Sequence, residues 1–295
     1  MDLILLGELA INGALVGLMY SLVAVGIVLV YRTSGLANLA QGAIAMMGGY
    51  LAWAATALLG LPIWAAAILA LVVMFAVGLL MERVVLRPLT GQPVIMIIML
   101  TIGLEIMLRG LIPGVFGSAV KRLDLGVSSA PLFVGDMLIN RTYLVSGAIS
   151  LGLIGGLVLL FNSRIGVFLR AVSNDQVASW SVGIRVERAI AFAFGLAAVS
   201  ATAAGILWGG AQGVDWTLSL LLIKALAIAI LGGLDSVAGV IVAGLIVGIC
   251  EGMASGLLDP LVGGGTRDVV ASVIILVTLL VRPEGLFGRE YIQRV

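Results

Sequence analysis

The sequence predicts an all-α polytopic membrane protein, and three observations lead to this prediction. Of the 295 residues, 62% are hydrophobic and 11% are charged, whereas charged residues make up about a quarter of an ordinary globular chain. The apolar residues form continuous runs near the roughly 20 residues that a membrane-spanning helix needs, and they do not alternate as in a transmembrane barrel. Forty glycines, several at small-x-x-x-small spacing, suit helices that approach closely in lipid. Residues 1–295 are therefore predicted to form a single transmembrane domain.

Nine apolar segments are predicted to lie in the membrane as helices. They are residues 9–31, 37–58, 62–81, 93–112, 142–161, 189–210, 217–232, 237–256 and 268–281. The segment 217–232 is the weakest, because it is short and Lys224 stands in its middle, where a charge costs about 2.5–3.5 kcal/mol. Residues 217–256 could instead dip into the membrane from outside as a re-entrant hairpin, which leaves seven full crossings.

The placement of basic residues predicts the orientation, because cytoplasmic connections carry an excess of lysine and arginine. With residues 161–188 inside, ten arginines lie in the inner connections, and the outer ones hold only Lys121, Arg122, Arg141 and Arg267. This arrangement places the N-terminus outside and the C-terminus inside. It requires an odd number of crossings, which both the nine-helix and the seven-helix interpretations satisfy.

Residues 161–188 are the one long polar interruption in the second half of the chain. We predict a short cytoplasmic helix here, with Gly183 as a C-terminal cap. Helical spacing gives this helix a narrow face of small and apolar groups interrupted by one carboxylate. The face consists of Phe168, Ala171, Val172, Asp175, Ala178, Ser179 and Val182. Such a surface is suited to docking a soluble partner, although Asp175 could either contact that partner or pair with Arg170 or Arg185.

Residues 111–140 contain two prolines and several glycines with balanced charge, which predicts the largest external loop. A receptor for an external protein and a plain surface connection are both compatible with this composition.

Polar residues inside the apolar segments are candidate sites. Asn38 and Gln41 either bind a polar ligand along a pathway or join two helices by hydrogen bonds. Glu105 and Arg109 stand at i, i+4 spacing on one helix face, which favours a self-neutralising pair over a ligand site.

Lys224 and Glu251 fall in neighbouring segments, and ionisable residues within a membrane are functional-site candidates by default. They face either a vestibule or each other. We therefore include both with the four preceding residues in a candidate substrate pathway.

Several functional classes are excluded by what the sequence lacks. It has no histidine, a single cysteine (Cys250), no P-loop motif and no Ser or Cys catalytic motif, so we expect neither an enzyme nor a metal or cofactor site. No basic patch predicts nucleic-acid binding. Any ATP-derived energy must come from a partner.

Five stretches together resemble the permease subunits of branched-chain amino acid ABC importers, the Liv type. They are GLANLAQGAIAMMGGY, TIGLEIMLRG, RIGVFLRAVSNDQVASWSVGIRVERAIAFAFGLAAVSATAAGILWG, KALAIAILGGLDSVAGVIVAGLIVG and VRPEGLFG, and they cover nearly the whole chain. The resemblance implies a multi-pass protein of the bacterial cytoplasmic (inner) membrane. It also implies a second permease subunit (a paralogue or a second copy), two cytoplasmic ATPase subunits and an external substrate-binding protein, with membrane lipid around the chain.

The resemblance also implies roles for particular residues. The resemblance implies that the family's ATPase-coupling segment corresponds here to Arg170, Ala171, Asn174, Asp175, Ala178 and Gly183. Gln41 departs from the family pattern, in which many members carry a histidine, so any proton-linked role at this position would be lost. The predicted function is translocation of branched-chain or other hydrophobic amino acids, or related small amides and acids, by alternating access. A stand-alone channel or secondary transporter that uses the intramembrane charges is the alternative.

Overall fold

The computed structural model describes residues 3–89, 92–127, 130–135 and 137–288 of the chain. These residues form eleven α-helices and one β-hairpin. The helices are α1 Leu3–Ser34, α2 Gln41–Ala57, α3 Ile63–Met81, α4 Val94–Phe116, α5 Arg141–Asn162, α6 Arg164–Asn174, α7 Gln176–Ser181, α8 Val186–Gln212, α9 Leu221–Gly232, α10 Val237–Val262 and α11 Thr266–Val281. The hairpin pairs β1 (Leu132–Val134) with β2 (Met137–Ile139) in antiparallel register.

Each of the nine predicted apolar segments overlaps one of these helices. Within the described residues, six helices are long and apolar enough to cross a membrane: α1, α3 with its continuation to Leu89, α4, α5, α8 and α10. Helices α2 and α11 are shorter, with 17 and 16 residues. Helix α9 has only 12 residues and follows a 3-10 turn, Trp216–Leu220.

Helix α1 is the centre of the bundle and contacts α5, α8, α9 and α10. Most of its residues from Met19 to Val30 are completely buried. Helix α10 packs antiparallel to it through glycines, with Gly17 opposite Gly244 and Gly13 opposite Gly248. A Cβ atom on Gly17 would lie 2.0 Å from the carbonyl oxygen of Gly244, so the two backbones touch directly, as small residues permit in lipid.

Helices α2 and α10 both begin inside the bundle, before the level at which α1 ends. Gly35, at a φ of 75°, reverses the chain after α1, and α2 then starts at Gln41, whose side-chain amide lies beside Gly26. Similarly, α10 begins at Val237, and the carbonyl of Val240 accepts a hydrogen bond from Ser21. The start of α2 thus lies about 12 Å, or about eight residues of α1, before the C-terminal end of α1, and the start of α10 lies at least as deep. The predicted segment 37–58 is helical only from residue 41.

Residues 161–188 and the hairpin lie at opposite ends of α1. Near the C-terminus of α1, the Thr33 carbonyl accepts a hydrogen bond from Gln176. Near its N-terminus, Asn12 donates to the carbonyl of Leu138 in β2. Within the predicted external loop 111–140, α4 continues to Phe116 with Pro113 inside it, and residues 132–134 and 137–139 form the hairpin.

Helix α3 lies on the outside of the bundle. Ala66, Ala70, Met74 and Gly78 recur every four residues and form its buried stripe, and Gly78 meets the backbone of α8 at Phe194. The opposite face exposes large apolar side chains, namely Trp64, Ile68, Leu69, Val72, Val73 and Leu80. An apolar face of this size suits contact with lipid.

Candidate functional site

The segment 161–188 contains two helices where the sequence predicts one. Asp175 takes an extended conformation with a φ of −158°, which ends α6 at Asn174 and starts α7 at Gln176. Its carboxylate accepts a hydrogen bond of 2.9 Å from the backbone N–H of Ala178. Asp175 is thus an N-cap, a position that aspartate favours because it satisfies an otherwise unpaired helical N–H. Within the described residues it pairs with neither Arg170 nor Arg185.

Gly183 ends α7, as the sequence predicts. It has a φ of 84°, and its N–H donates to the Trp180 carbonyl while the Ile184 N–H donates to that of Ser179. This pair of bonds is a Schellman motif, which favours glycine at the left-handed position. Any side chain at residue 183 would be strained.

The predicted continuous face is divided between the interior and the surface. Val172 and Ser179 are buried against the bundle, whereas Phe168 and Val182 are exposed by 55% and 76%. Among the other candidate coupling residues, Ala171 is half-buried, and Asn174 and Ala178 are exposed. The Arg170 guanidinium donates to the Phe161 carbonyl at the end of α5. The break at Asp175 rotates α7 relative to α6, which is why one helical wheel does not describe both.

A groove of about 850 Å³ lies between α7 and the start of α8 on one side and the end of α3 on the other. Arg87 lines this groove and forms ion pairs of 3.1 Å with Glu82 and 3.4 Å with Glu187. Val177 and Trp180 line the groove and are exposed by 76% and 74%.

The recess before α2 holds a second cavity of about 330 Å³, and Asn38 lines it together with Gln92, Thr101 and Gln176. The Asn38 side chain accepts from the N–H of Ala40 within its own turn. This cavity shares Glu82, Arg87 and Gln176 with the larger groove, so the two adjoin.

Gln41 is completely buried, and its amide donates a hydrogen bond of 2.8 Å to the Ala197 carbonyl in α8. It does not line the second cavity. The structure therefore places Asn38, but not Gln41, at the recess and gives Gln41 a helix-to-helix bond.

The predicted Glu105–Arg109 pair forms, and of the two alternatives for Lys224 and Glu251 the structure shows the one in which they face each other. Arg109 lies 3.5 Å from Glu105 along α4. Lys224 lies 3.0 Å from Glu251 and 3.1 Å from Asp268, so it faces these carboxylates and joins α9, α10 and α11. Asp268 was not among the predicted residues, because a third member from another helix leaves no signal in sequence spacing.

The Lys224 network contacts an aromatic pair. The Lys224 Nζ lies 5.5 Å from the centroid of the Tyr20 ring, and Tyr20 stacks on Trp208 with ring centroids 4.9 Å apart. Each partner comes from a different helix, so periodicity alone could not reveal the cluster.

The groove residues Glu82, Arg87, Val177 and Trp180 were also not predicted. The only sequence signal for them is the arginine content of the two connections, which indicates a side of the membrane but not a shared cavity.

The bundle and its polar end define a multi-pass helical membrane protein with an amphipathic segment at one end. The sequence profile described as branched-chain amino acid transport system / permease component matches residues 9–281, and the chain belongs to this family.

Similar proteins include the high-affinity branched-chain amino acid transport system permease protein LivH of Escherichia coli K12, at 30% identity over 96% of each chain. Permease protein BraD of Pseudomonas aeruginosa is also 30% identical, over 97% of this chain and 96% of its own. The solved PsaBC structure from Streptococcus pneumoniae in complex with Fab has a TM-score of 0.47 at 15% identity, covering 92% of this chain and 91% of that chain.

Proposed function

We propose that this chain is the permease subunit of an ATP-driven importer of branched-chain amino acids or related small amides and acids in the cytoplasmic (inner) membrane of a bacterium. The permeases LivH and BraD, which it resembles over nearly their full length, support the transport class. The proposal depends chiefly on one structural observation: an exposed pair of short helices is attached to the end of the central helix α1.

The α6–α7 segment is the proposed input from the ATPase subunits. Phe168, Ala178 and Val182 are exposed on it, and they offer the apolar docking surface. Gln176 links it to α1 through Thr33, and Arg170 links it to α5 through Phe161. A displacement of α6–α7 therefore reaches two long helices directly, which is how a docked ATPase would bias the bundle between its inward-open and outward-open states.

The recess beside Asn38 is the proposed inner end of the substrate pathway. It adjoins α1 and α7 at the same end of the bundle, so a movement of α7 changes its lining. Asn38, Gln92 and Thr101 offer neutral hydrogen-bonding groups, which suit a weakly held, mobile substrate. Gln41 is proposed to shape this pathway by fixing α2 against α8.

In the proposed topology the α6–α7 end is cytoplasmic, with the N-terminus outside and the C-terminus inside. Nine helical segments are embedded in the membrane. The 26-residue α10 supports a full crossing over a shallow hairpin arm, since it is about 39 Å long against a core of about 30 Å. The hairpin and the rest of residues 111–140 then face a substrate-binding protein, and a second permease subunit completes the membrane part.

Two variants test the coupling role. Asp175→Arg removes the acceptor that caps α7, and Ala171→Pro breaks α6 by removing a helical N–H. Both should insert into the membrane normally, co-purify with reduced amounts of ATPase and lose substrate-stimulated ATP hydrolysis and uptake in proteoliposomes. Ser173→Ala, which keeps α6 helical, is the matched control. Normal substrate-stimulated ATPase activity in Asp175→Arg would contradict the proposal.

The stand-alone transporter is not favoured. Its proposed charge relay uses Glu105, Arg109, Lys224 and Glu251, and these residues neutralise one another within two separate pairs. Reconstitution of this chain without other subunits separates the two functions, because only a stand-alone transporter produces flux without an ATPase.

A further inference from the structure

The groove between α3, α7 and α8 carries a surplus of positive charge. Four arginines line it, against two glutamates, and Arg87 pairs with both of these. Among the described residues, Arg83, Arg185 and Arg188 take part in no ion pair. All three residues are exposed. Three guanidinium groups therefore border one cavity without a carboxylate partner among the described residues.

Guanidinium groups favour a phosphate ligand, because their planar forks donate two parallel hydrogen bonds to its oxygens. A cavity of about 850 Å³ is larger than a phosphate ion needs and falls within the range of sites for organic ligands. The chemistry therefore indicates a phosphate ester.

An apolar surface leads from this groove along α3. Leu79 lines the groove, and the adjoining Leu80 and Val84 are exposed by 58% and 60%. Further along the same helix, Val72 and Val73 are exposed by 63% and 37%. Trp180 borders the groove on the opposite side, and tryptophan is enriched at the headgroup level of membranes. A basic cavity at the end of an outward-facing apolar helix matches a molecule with a phosphate head and hydrocarbon tails.

We propose that this groove binds the headgroup phosphate of an anionic phospholipid of the cytoplasmic leaflet, whose acyl chains lie along α3. The inference relies on the proposed topology, in which this end of the bundle is cytoplasmic. The lipid occupies the side of α7 that carries Val177 and Trp180, while Phe168, Ala178 and Val182 remain free for the ATPase. The bound lipid then braces α7 against α3 and α8, so its presence should set the resting position of the coupling segment.

Native mass spectrometry tests this site on the complex purified in mild detergent. The complex is titrated with phosphatidylglycerol and, separately, with phosphatidylcholine of the same acyl chains. The expected result is a clear preference for phosphatidylglycerol. The double variant Arg83→Gln/Arg188→Gln should weaken phosphatidylglycerol binding about 30-fold, since each arginine near an anionic surface contributes about fivefold. The control Arg122→Gln/Arg141→Gln removes the same charge at the opposite end and should leave binding unchanged.

Several outcomes overturn the inference. They are equal affinity for the two lipids, unaltered phosphatidylglycerol binding in the double variant, and displacement of the lipid by an equal concentration of inorganic phosphate. Loss of the ATPase subunits from the double variant with lipid retained would assign the groove to protein docking instead. If the double variant does not fold, Arg83→Gln alone, at an exposed position, provides the same comparison with an effect of about fivefold. Lipid retention is measured without transport, so a failure of the proposed transport function would be seen separately.

Discussion

The α1–α10 interface and the α6–α7 segment are built by opposite means. At the interface, glycines bring two backbones into direct contact, and a Cβ on Gly248 would lie 2.3 Å from the Gly13 carbonyl oxygen. The α6–α7 segment packs on the bundle through one buried side, which includes Leu169 and Val172, and through hydrogen bonds from Arg170 and Gln176, and it leaves Trp180 and Val182 largely exposed. A tightly packed interior transmits force but tolerates little change, whereas a lightly attached segment can move. Defects in the first region should therefore reduce stability, and defects in the second should reduce coupling.

The largest expected effect follows from breaking the Lys224–Glu251 pair, which joins α9 to α10 inside the bundle. Lys224→Met leaves the carboxylate of Glu251, which is 2% exposed, without the ammonium group 3.0 Å away. Loss of one partner of a buried pair costs about 3–5 kcal/mol. Thermal unfolding in detergent, followed by circular dichroism, should show a lowered midpoint.

The double variant Lys224→Met/Glu251→Leu separates this cost from a transport role. It removes both charges and should recover most of the lost stability. Arg122→Met, at an exposed position, is the control for loss of a single positive charge and should change little. A single variant as stable as this control would refute the buried-pair explanation. Restored stability with abolished uptake would instead give the pair a functional role.

A smaller loss is expected from crowding the glycine contact itself. Gly17→Ala places a methyl group 2.0 Å from the Gly244 carbonyl oxygen and 2.8 Å from its carbon, so α1 and α10 must separate. Overpacking of this kind costs about 1–3 kcal/mol, which the same unfolding measurement resolves. Gly152→Ala is the matched control, because nothing lies within 4 Å of a Cβ there. An equal loss in the two variants would show that the close approach of α1 and α10 does not limit stability.

The sequence predicted the positions of the helices in the bundle better than the contacts between them. Apolar length and helical spacing are local properties, so all nine segments overlap helices and Glu105 pairs with Arg109 as expected. The ion pair between Lys224 and Asp268 depends on the packing of α9 against α11, which no spacing encodes. The recess before α2 was likewise not predictable, because hydropathy does not report the depth at which a helix starts.

At the candidate site, the error at Asp175 has a different origin, because two local signals compete there. Helical spacing continues from Phe168 to Val182 with Asp175 as its one charged member, and it favours one helix. Aspartate is also a strong N-cap, and the acceptor–donor pair of Asp175 and Ala178 breaks the run. A capping signal inside a periodic stretch thus competes with the periodicity, and only the structure shows which one prevails. The role of this segment in coupling stays a prediction.

The smallest expected effect on stability, and the sharpest test of the lightly held segment, comes from substitutions that separate the cap of Asp175 from its charge. Asparagine also accepts the hydrogen bond from Ala178, whereas alanine does not, and loss of an N-cap costs about 1 kcal/mol. Asp175→Ala should therefore lower the equilibrium constant for folding of α7 about fivefold and lower substrate-stimulated ATPase activity by up to the same factor, while the unfolding midpoint of the whole protein stays near that of the wild type. Asp175→Asn should retain activity within about twofold, because its cap remains. Equal losses in the two variants would mean that the carboxylate charge itself contacts a partner, and α6–α7 would then depend on an electrostatic contact in addition to its own fold.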